Sequence, residues 1–208
     1  MLIFKEVRSE KREVKIYHKE QYLSKNSVIE NMKTRRSCRV FSDRMPEREL
    51  VAAVCEAGTW APTGHGKQSP VILAVTDKAL RDRLSAMNAK IWNGLTVARG
   101  GEPKEGFDPF YGAPVVLVVL ADRSVPTYLY DGCSVMCQLA NAAHSVGLDS
   151  CWIHRAKEEF ASDEGKAILK ELGVEGDYEG IGHIVLGYKA KELPPPLPRK
   201  ADYIRWAE

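Results

Sequence analysis

One apolar run, Ala113-Pro114-Val115-Val116-Leu117-Val118-Val119-Leu120-Ala121, limits the fold more than any other feature of the chain. It falls far short of the ~20 residues that a membrane helix needs. Its β-branched content and lack of polar alternation describe a strand buried inside a sheet. Such a strand needs cover, and the remaining sequence supplies it as helices. Ser27 and Glu30 have the spacing of a capping box, followed by a short helix with Ile29 and Met32 on one face. Pro46 opens a second helix with the stripe Leu50, Val54 and Ala57, and Gly58 stops it. Asp77 caps a third, carrying Leu80, Leu84, Met87 and Ile91. A long helix over about 127–146 presents Val135, Leu139, Ala142 and Val146, with Gly147 closing it. A further helix carries Phe160, Ile168, Leu169 and Leu172.

Three more strands are expected: Val71 to Val75, Ser150 to Ile153 and Gly182 to Leu186. The mixed order of helices and strands gives an α+β sandwich. Residues 93 to 112 hold seven glycines and prolines, the pattern of a functional lid or a mobile loop, with Phe107, Phe110 and Tyr111 as the aromatics of a lid over the substrate. The tail Leu193-Pro194-Pro195-Pro196-Leu197-Pro198 is extended. Residues 1 to 26 form a charge-dense N-terminal arm. Val14, Ile16 and His18 alternate there with Lys15 and Tyr17, which fits a short edge strand or an extended arm equally.

Composition narrows the function classes. With 208 residues, 30 Lys+Arg and 28 Asp+Glu, the net charge of +2 offers no chain-wide attraction for nucleic acid or an anionic membrane. The five cysteines form no CxxC pair, which points to free thiols and no metal site. The charged N-terminus lacks the apolar centre of a signal peptide, so a cytoplasmic protein is expected.

Four segments carry possible chemistry. Thr34-Arg35-Arg36-Ser37-Cys38-Arg39-Val40-Phe41 places three arginines and a hydroxyl where they can fork onto one phosphate. Cations that merely complement a helix C-terminus would read the same way. Trp60-Ala61-Pro62-Thr63-Gly64-His65-Gly66-Lys67-Gln68-Ser69-Pro70 is either a ligand loop or an ordinary connection, and matches no Walker or dinucleotide pattern. Ser150-Cys151-Trp152-Ile153-His154-Arg155 ends a strand in an aromatic, an imidazole and a guanidinium. Packing residues would also explain it. Finally, Pro198-Arg199-Lys200 holds basic residues on a stiff rod, or is a solvated tail.

Together the RRSxRxF run, the APTGxxxxQ loop, the GLDSCWIHR strand and the GHIVLGY…PRK segment resemble the nitroreductase family of flavin enzymes, over about residues 27 to 205. The resemblance implies a three-layer sandwich with a mostly antiparallel sheet flanked by helices, and one FMN-binding domain over 27–208. It further implies a homodimer with two flavin sites at the subunit interface. By position, Arg35, Arg36, Ser37 and Arg39 would hold the FMN phosphate and ribityl chain. Pro62, Thr63 and Gly64 would approach a flavin from the partner subunit, and Gln68 would reach the ring edge or ribityl. Trp152, Ile153, His154 and Arg155 would lie along the isoalloxazine, and Arg199 would return to the phosphate with Lys200 beside it. NADH or NADPH would donate hydride through FMN to a nitroaromatic, quinone or similar electrophile, with no protein nucleophile. Two segments depart from the common pattern. Gly66 replaces an Asn, and Ser69-Pro70 replaces Pro-Trp; at Arg155 some members carry Gly. Alternatives are a non-catalytic flavin store, a nucleic-acid contact at Arg35–Arg39, and a thiol enzyme using Cys38 or Cys151.

Overall fold

A computed structural model describes residues 26–207, so the arm and its alternating Val14, Ile16 and His18 lie outside the described residues. The chain falls into two compact units, one ending at Arg35 and a larger one beginning at Arg36. In the first, helix α1 (Ser27–Thr34) is capped by Asn26, whose side chain accepts from the Val28 and Ile29 N–H groups. The cap thus lies one residue before the expected Ser27. Asn accepts there as well as Ser. Met32 is exposed and α1 buries no residue, contrary to the expected apolar face.

The larger unit is built on one sheet. Strands β1 (Pro70–Val75), β2 (Val115–Asp122), β3 (Asp149–Ile153) and β4 (Tyr178–Gly187) pair antiparallel throughout, in the order β1-β2-β4-β3. A bulge at Ile181 interrupts the β2–β4 register, where Val119 faces Gly182 and Leu120 faces Gly180.

Strand β2 is central, and all its residues from Val115 to Ala121 are fully buried. Its even-numbered residues Val116, Val118 and Leu120 join a core with Leu84, Phe110, Phe160 and Ile168. Its odd-numbered residues Val115, Leu117 and Val119 join another with Val54, Met136 and Leu139. Hydrophobic cover on both faces makes three layers, as the unalternating run requires. One helical layer holds α2 (Arg48–Thr59) and α4 (Tyr128–Ser145). The other holds α3 (Lys78–Ala98), α5 (Ala156–Ala161) and α6 (Asp163–Glu171).

Several boundaries differ from expectation. Helix α2 starts two residues after Pro46, with Glu47 at the N-cap. It buries Val51, Val54 and Gly58. Gly58 does not stop it: the helix continues to Thr59, because Gly58 is a contact residue. A Cβ built there would lie 2.5 Å from Leu139 Cδ2 and 3.0 Å from Ile72 Cδ1. Gly58→Ala should therefore destabilise the protein by about 1–3 kcal/mol despite alanine's better helix propensity. A lowered urea midpoint at an unchanged slope would show it.

Helix α3 is capped by Asp77 as expected, through the Leu80 N–H, but runs on through Gly94 to Ala98. The breaker-rich segment therefore starts at Arg99. Phe110 is not a lid aromatic: it is 2% exposed and packs in the core, 5.2 Å from the His183 ring. Phe107 instead packs against Trp92 with its ring tilted by 46°, the ring centroids 4.7 Å apart. The single helix expected after β3 is two, because Ser162 is extended and its hydroxyl caps α6 by accepting from Gly165 N–H. From Lys191 to Lys200 the tail forms no helix or strand, and all but Leu193 is exposed.

Candidate active site

The arginine run enters the sheet as an edge extension. Ser37 bridges Ser150 of β3 in parallel, and Cys38 N–H donates to Ser150 O at 2.9 Å. The chain then passes the end of β4, where Ser42 N–H donates to Tyr188 O and Ala190 N–H donates to Val40 O. This pairing sets Arg36, Ser37 and exposed Arg39 beside the strand that carries Trp152. It also starts the C-terminal tail next to the run. Arg35 ends the smaller unit, its N–H donating to Asn31 O. Arg199 lies exposed on the tail, and no hydrogen bond or ion pair joins it to another described residue.

Trp152 is 43% exposed, which a core tryptophan would not be. Its indole lies over β4 where Gly182 leaves room; a Cβ on Gly182 would meet Trp152 Nε1 at 2.8 Å and Met136 at 2.7 Å. Ile153 is buried in the opposite core, and His154 is exposed. Strand β3 thus presents an aromatic surface at one edge of the sheet, next to a cationic segment.

The Pro62–Gln68 loop lies at the other edge, before β1. It is held by a residue the sequence did not single out, Asp131, which is 3% exposed on the first turn of α4. Asp131 Oδ1 accepts from Gly64 N–H at 2.9 Å. Its Oδ2 accepts from Ser69 Oγ at 2.7 Å and Thr127 Oγ1 at 3.1 Å. Burial raises the Asp131 carboxyl, but these three donors outweigh it and hold the group below the ordinary carboxylate range. One side chain therefore fastens both ends of the loop. Within it, Gln68 N–H donates to Thr63 Oγ1, and His65 and Gln68 adopt left-handed backbone angles of 52° and 50° in φ. Thr63 and Gln68 line a cleft of about 300 Å³ with Cys55, Thr59, Ile72 and Val135.

Strands β2 and β4 lie between the two edges, so one chain does not bring the loop and the arginine run together. Three strand spacings separate β1 from β3, about 14 Å.

Arg155 occupies a left-handed turn at φ 82°, ψ 6°, directly after β3. That conformation favours glycine. Arg155 Nε donates to Asn88 Oδ1 at 2.8 Å. A thiol mechanism at Cys38 finds no support, since burial pushes the Cys38 thiol up, away from the reactive thiolate. Among the described residues no group of three or more His, Cys, Asp or Glu could hold a metal ion, and no helix is long and apolar enough to cross a membrane.

Known proteins share this architecture. A crystal structure of a nitroreductase with bound FMN from Bacteroides fragilis is 27% identical and superposes with a TM-score of 0.80, covering 88% of this chain and 100% of that one. A nitroreductase with bound FMN from Desulfitobacterium hafniense is 28% identical, with a TM-score of 0.76 over 88% of this chain and 100% of that one. Among curated proteins, one from Methanothermobacter thermautotrophicus bears the name "Putative NADH dehydrogenase/NAD(P)H nitroreductase" and is 27% identical. That match covers 65% of this chain and 64% of the relative, just under two thirds of its length. The Nitroreductase family profile matches residues 32–188, well over half of the sequence, and the chain belongs to the nitroreductase family.

Proposed function

We propose that the protein is an FMN-dependent oxidoreductase that takes hydride from NADH or NADPH and passes it to a nitroaromatic, quinone or similar conjugated electrophile. The observation that carries this reading is the docking of the Arg36–Arg39 run beside the exposed Trp152 on β3, in a chain of this family. The donor set fits FMN. A phosphomonoester carries about −1.5 to −2 charges near neutral pH, and Arg36, Arg39 and the Ser37 hydroxyl supply two cations and a neutral donor for it. The indole over Gly182 offers a flat apolar surface for a planar ring. The FMN-bound relatives support the same assignment.

Bound FMN supplies the two-electron chemistry. The chain's own residues bind and orient. The arginine run fixes the phosphate, Trp152 sets the plane, and Thr63, Gly64 and Gln68 form a second polar wall; Ile153, expected along the ring, is buried in the opposite core and packs there instead. Because that wall stands at the opposite sheet edge, we assign it, with Pro62, to the flavin of a partner subunit in a homodimer. Arg199 is proposed to close over the phosphate from the tail that begins beside Val40.

The purified protein is expected to be yellow, and anaerobic NADH or NADPH should bleach it. A colourless protein that fails to take up added FMN removes the flavin reading. Bound flavin that neither nucleotide bleaches supports a flavin store instead, the alternative raised by Gly66 and Pro70 in the loop.

A further inference from the structure

We propose that Asn88 is a positioning residue that aims the Arg155 guanidinium, as a forked donor, at an oxygen of the bound flavin. This rests on the flavin reading above. A non-glycine residue in the left-handed region costs about 1 kcal/mol, so the turn at Arg155 needs support from its surroundings. Asn88 provides it from α3, 67 residues away in sequence. Its Oδ1 accepts from Arg155 Nε at 2.8 Å, and its Nδ2 donates to His154 O at 2.8 Å and to the Glu159 carboxylate. Glu159 N–H in turn donates to Arg155 O at 3.0 Å. Asn88 and Glu159 are both fully buried. On its far side Glu159 Oε2 lies 3.0 Å from His183 Nε2, off the line of a hydrogen bond.

The way the guanidinium is used is the telling feature. A buried carboxylate calls for a counter-charge. An arginine serving only that need would set its fork on the carboxylate in a bidentate contact. Here an amide stands between them. Arg155 spends Nε on a neutral oxygen, and its two terminal amino groups have no hydrogen-bond partner among the described residues. Burial lowers the Arg155 pKa while Glu159 pushes it back up, so the buried acid helps keep the cation charged. The result is a half-buried donor pair with unused N–H groups, fixed near the strand end that carries exposed Trp152 and His154. An oxygen-rich planar ligand is the partner this combination suits.

The test compares wild type, Arg155→Met, Asn88→Ala and the double variant. FMN dissociation constants come from fluorescence titration of the apoproteins, midpoint potentials from dye equilibration, and thermal midpoints from the apoproteins. Arg155→Met should weaken FMN binding about 10- to 100-fold. It should also lower the midpoint potential, because reduction adds negative charge that the cation no longer meets. Asn88→Ala should weaken FMN several-fold alone and by less than about twofold in the Arg155→Met background, the non-additivity of a residue acting through another. Arg155→Met variants with unchanged affinity and potential but a lower thermal midpoint would show a structural contact only and overturn the proposal. So would an Asn88→Ala effect of equal size in both backgrounds. If Asn88→Ala does not fold, Arg155→Lys replaces it: charge without the Nε donor should restore the potential but not the affinity, and a potential matching that of Arg155→Met overturns the assignment. Wild-type protein that binds no FMN fails the flavin reading itself, an outcome distinct from all the others.

Discussion

Replacing Arg36 and Arg39 together by alanine is expected to weaken FMN binding by about 10²- to 10⁴-fold while leaving the apoprotein folded. Each arginine offers a charge-assisted contact to the phosphate, and removing such a contact costs about 1.5–3 kcal/mol. Folding should be affected much less. Arg39 is exposed and Arg36 half-buried, and the backbone pairing that fixes this segment runs through Ser37, Cys38 and Val40. Fluorescence titration with FMN reports the affinity, and circular dichroism of the apoprotein reports the fold. Wild-type affinity should also fall as salt rises, and fall less steeply in the double variant, since two of the screened charges are gone. An affinity within about threefold of wild type would place the phosphate elsewhere on the molecule. Loss of the folded signal would mean that the run is structural.

This prediction depends on an arrangement only partly legible in the sequence. The run at 113–121 announced a strand buried on both faces, and the helix periods on either side supplied the two layers that cover it. Those signals are local: side-chain alternation and the 3.6-residue period both arise within a few residues of the chain. What the sequence concealed is tertiary. Asn88 sits in line with Leu84 and Ile91 on α3, and Asp131 stands four residues before Val135 on α4. Both are polar groups at apolar register positions, and that interruption was the available clue. Their partners lie far away along the chain. Asn88 reaches His154 across 66 residues, and Asp131 reaches Gly64 across 67. No periodicity encodes such a bond. Gly58 misled for the same reason: a glycine near a helix end reads as a stop, but here it is the gap that admits Leu139. The displacement of the loop from the arginine run was likewise invisible until the strand order was known. That order is what led us to propose that the loop serves a partner subunit's flavin.

Asp131→Ala is expected to cost about 3 kcal/mol of stability and to abolish any tight contact made by the Thr63–Gln68 loop. Removing the carboxylate strands a backbone N–H and two hydroxyls that it now satisfies, in a position only 3% exposed. A buried donor left without a partner costs about 1–3 kcal/mol, and the two hydroxyls can recover part of that by rotating. Asp131→Asn should be milder, about 1–2 kcal/mol, because the amide oxygen can still accept from Gly64 N–H while Ser69 and Thr127 turn to accept from its NH2. The pH dependence separates charge from shape. The folded protein holds the Asp131 carboxyl below its ordinary value, so the unfolded chain takes up the proton first as pH falls. The stabilisation is therefore complete above the unfolded value near 3.9 and is lost as pH drops through the lower folded value. Urea midpoints measured from pH 7 down to pH 2 should consequently fall more steeply for wild type than for Asp131→Asn. The two variants should also differ in flavin binding. Asp131→Asn keeps the loop near its place and loses only a few-fold, whereas Asp131→Ala frees Gly64 and Ser69 together and takes away the wall offered to the partner's flavin. Parallel pH profiles would assign the carboxyl no charge-dependent role, and full flavin affinity in Asp131→Ala would detach the loop from the site.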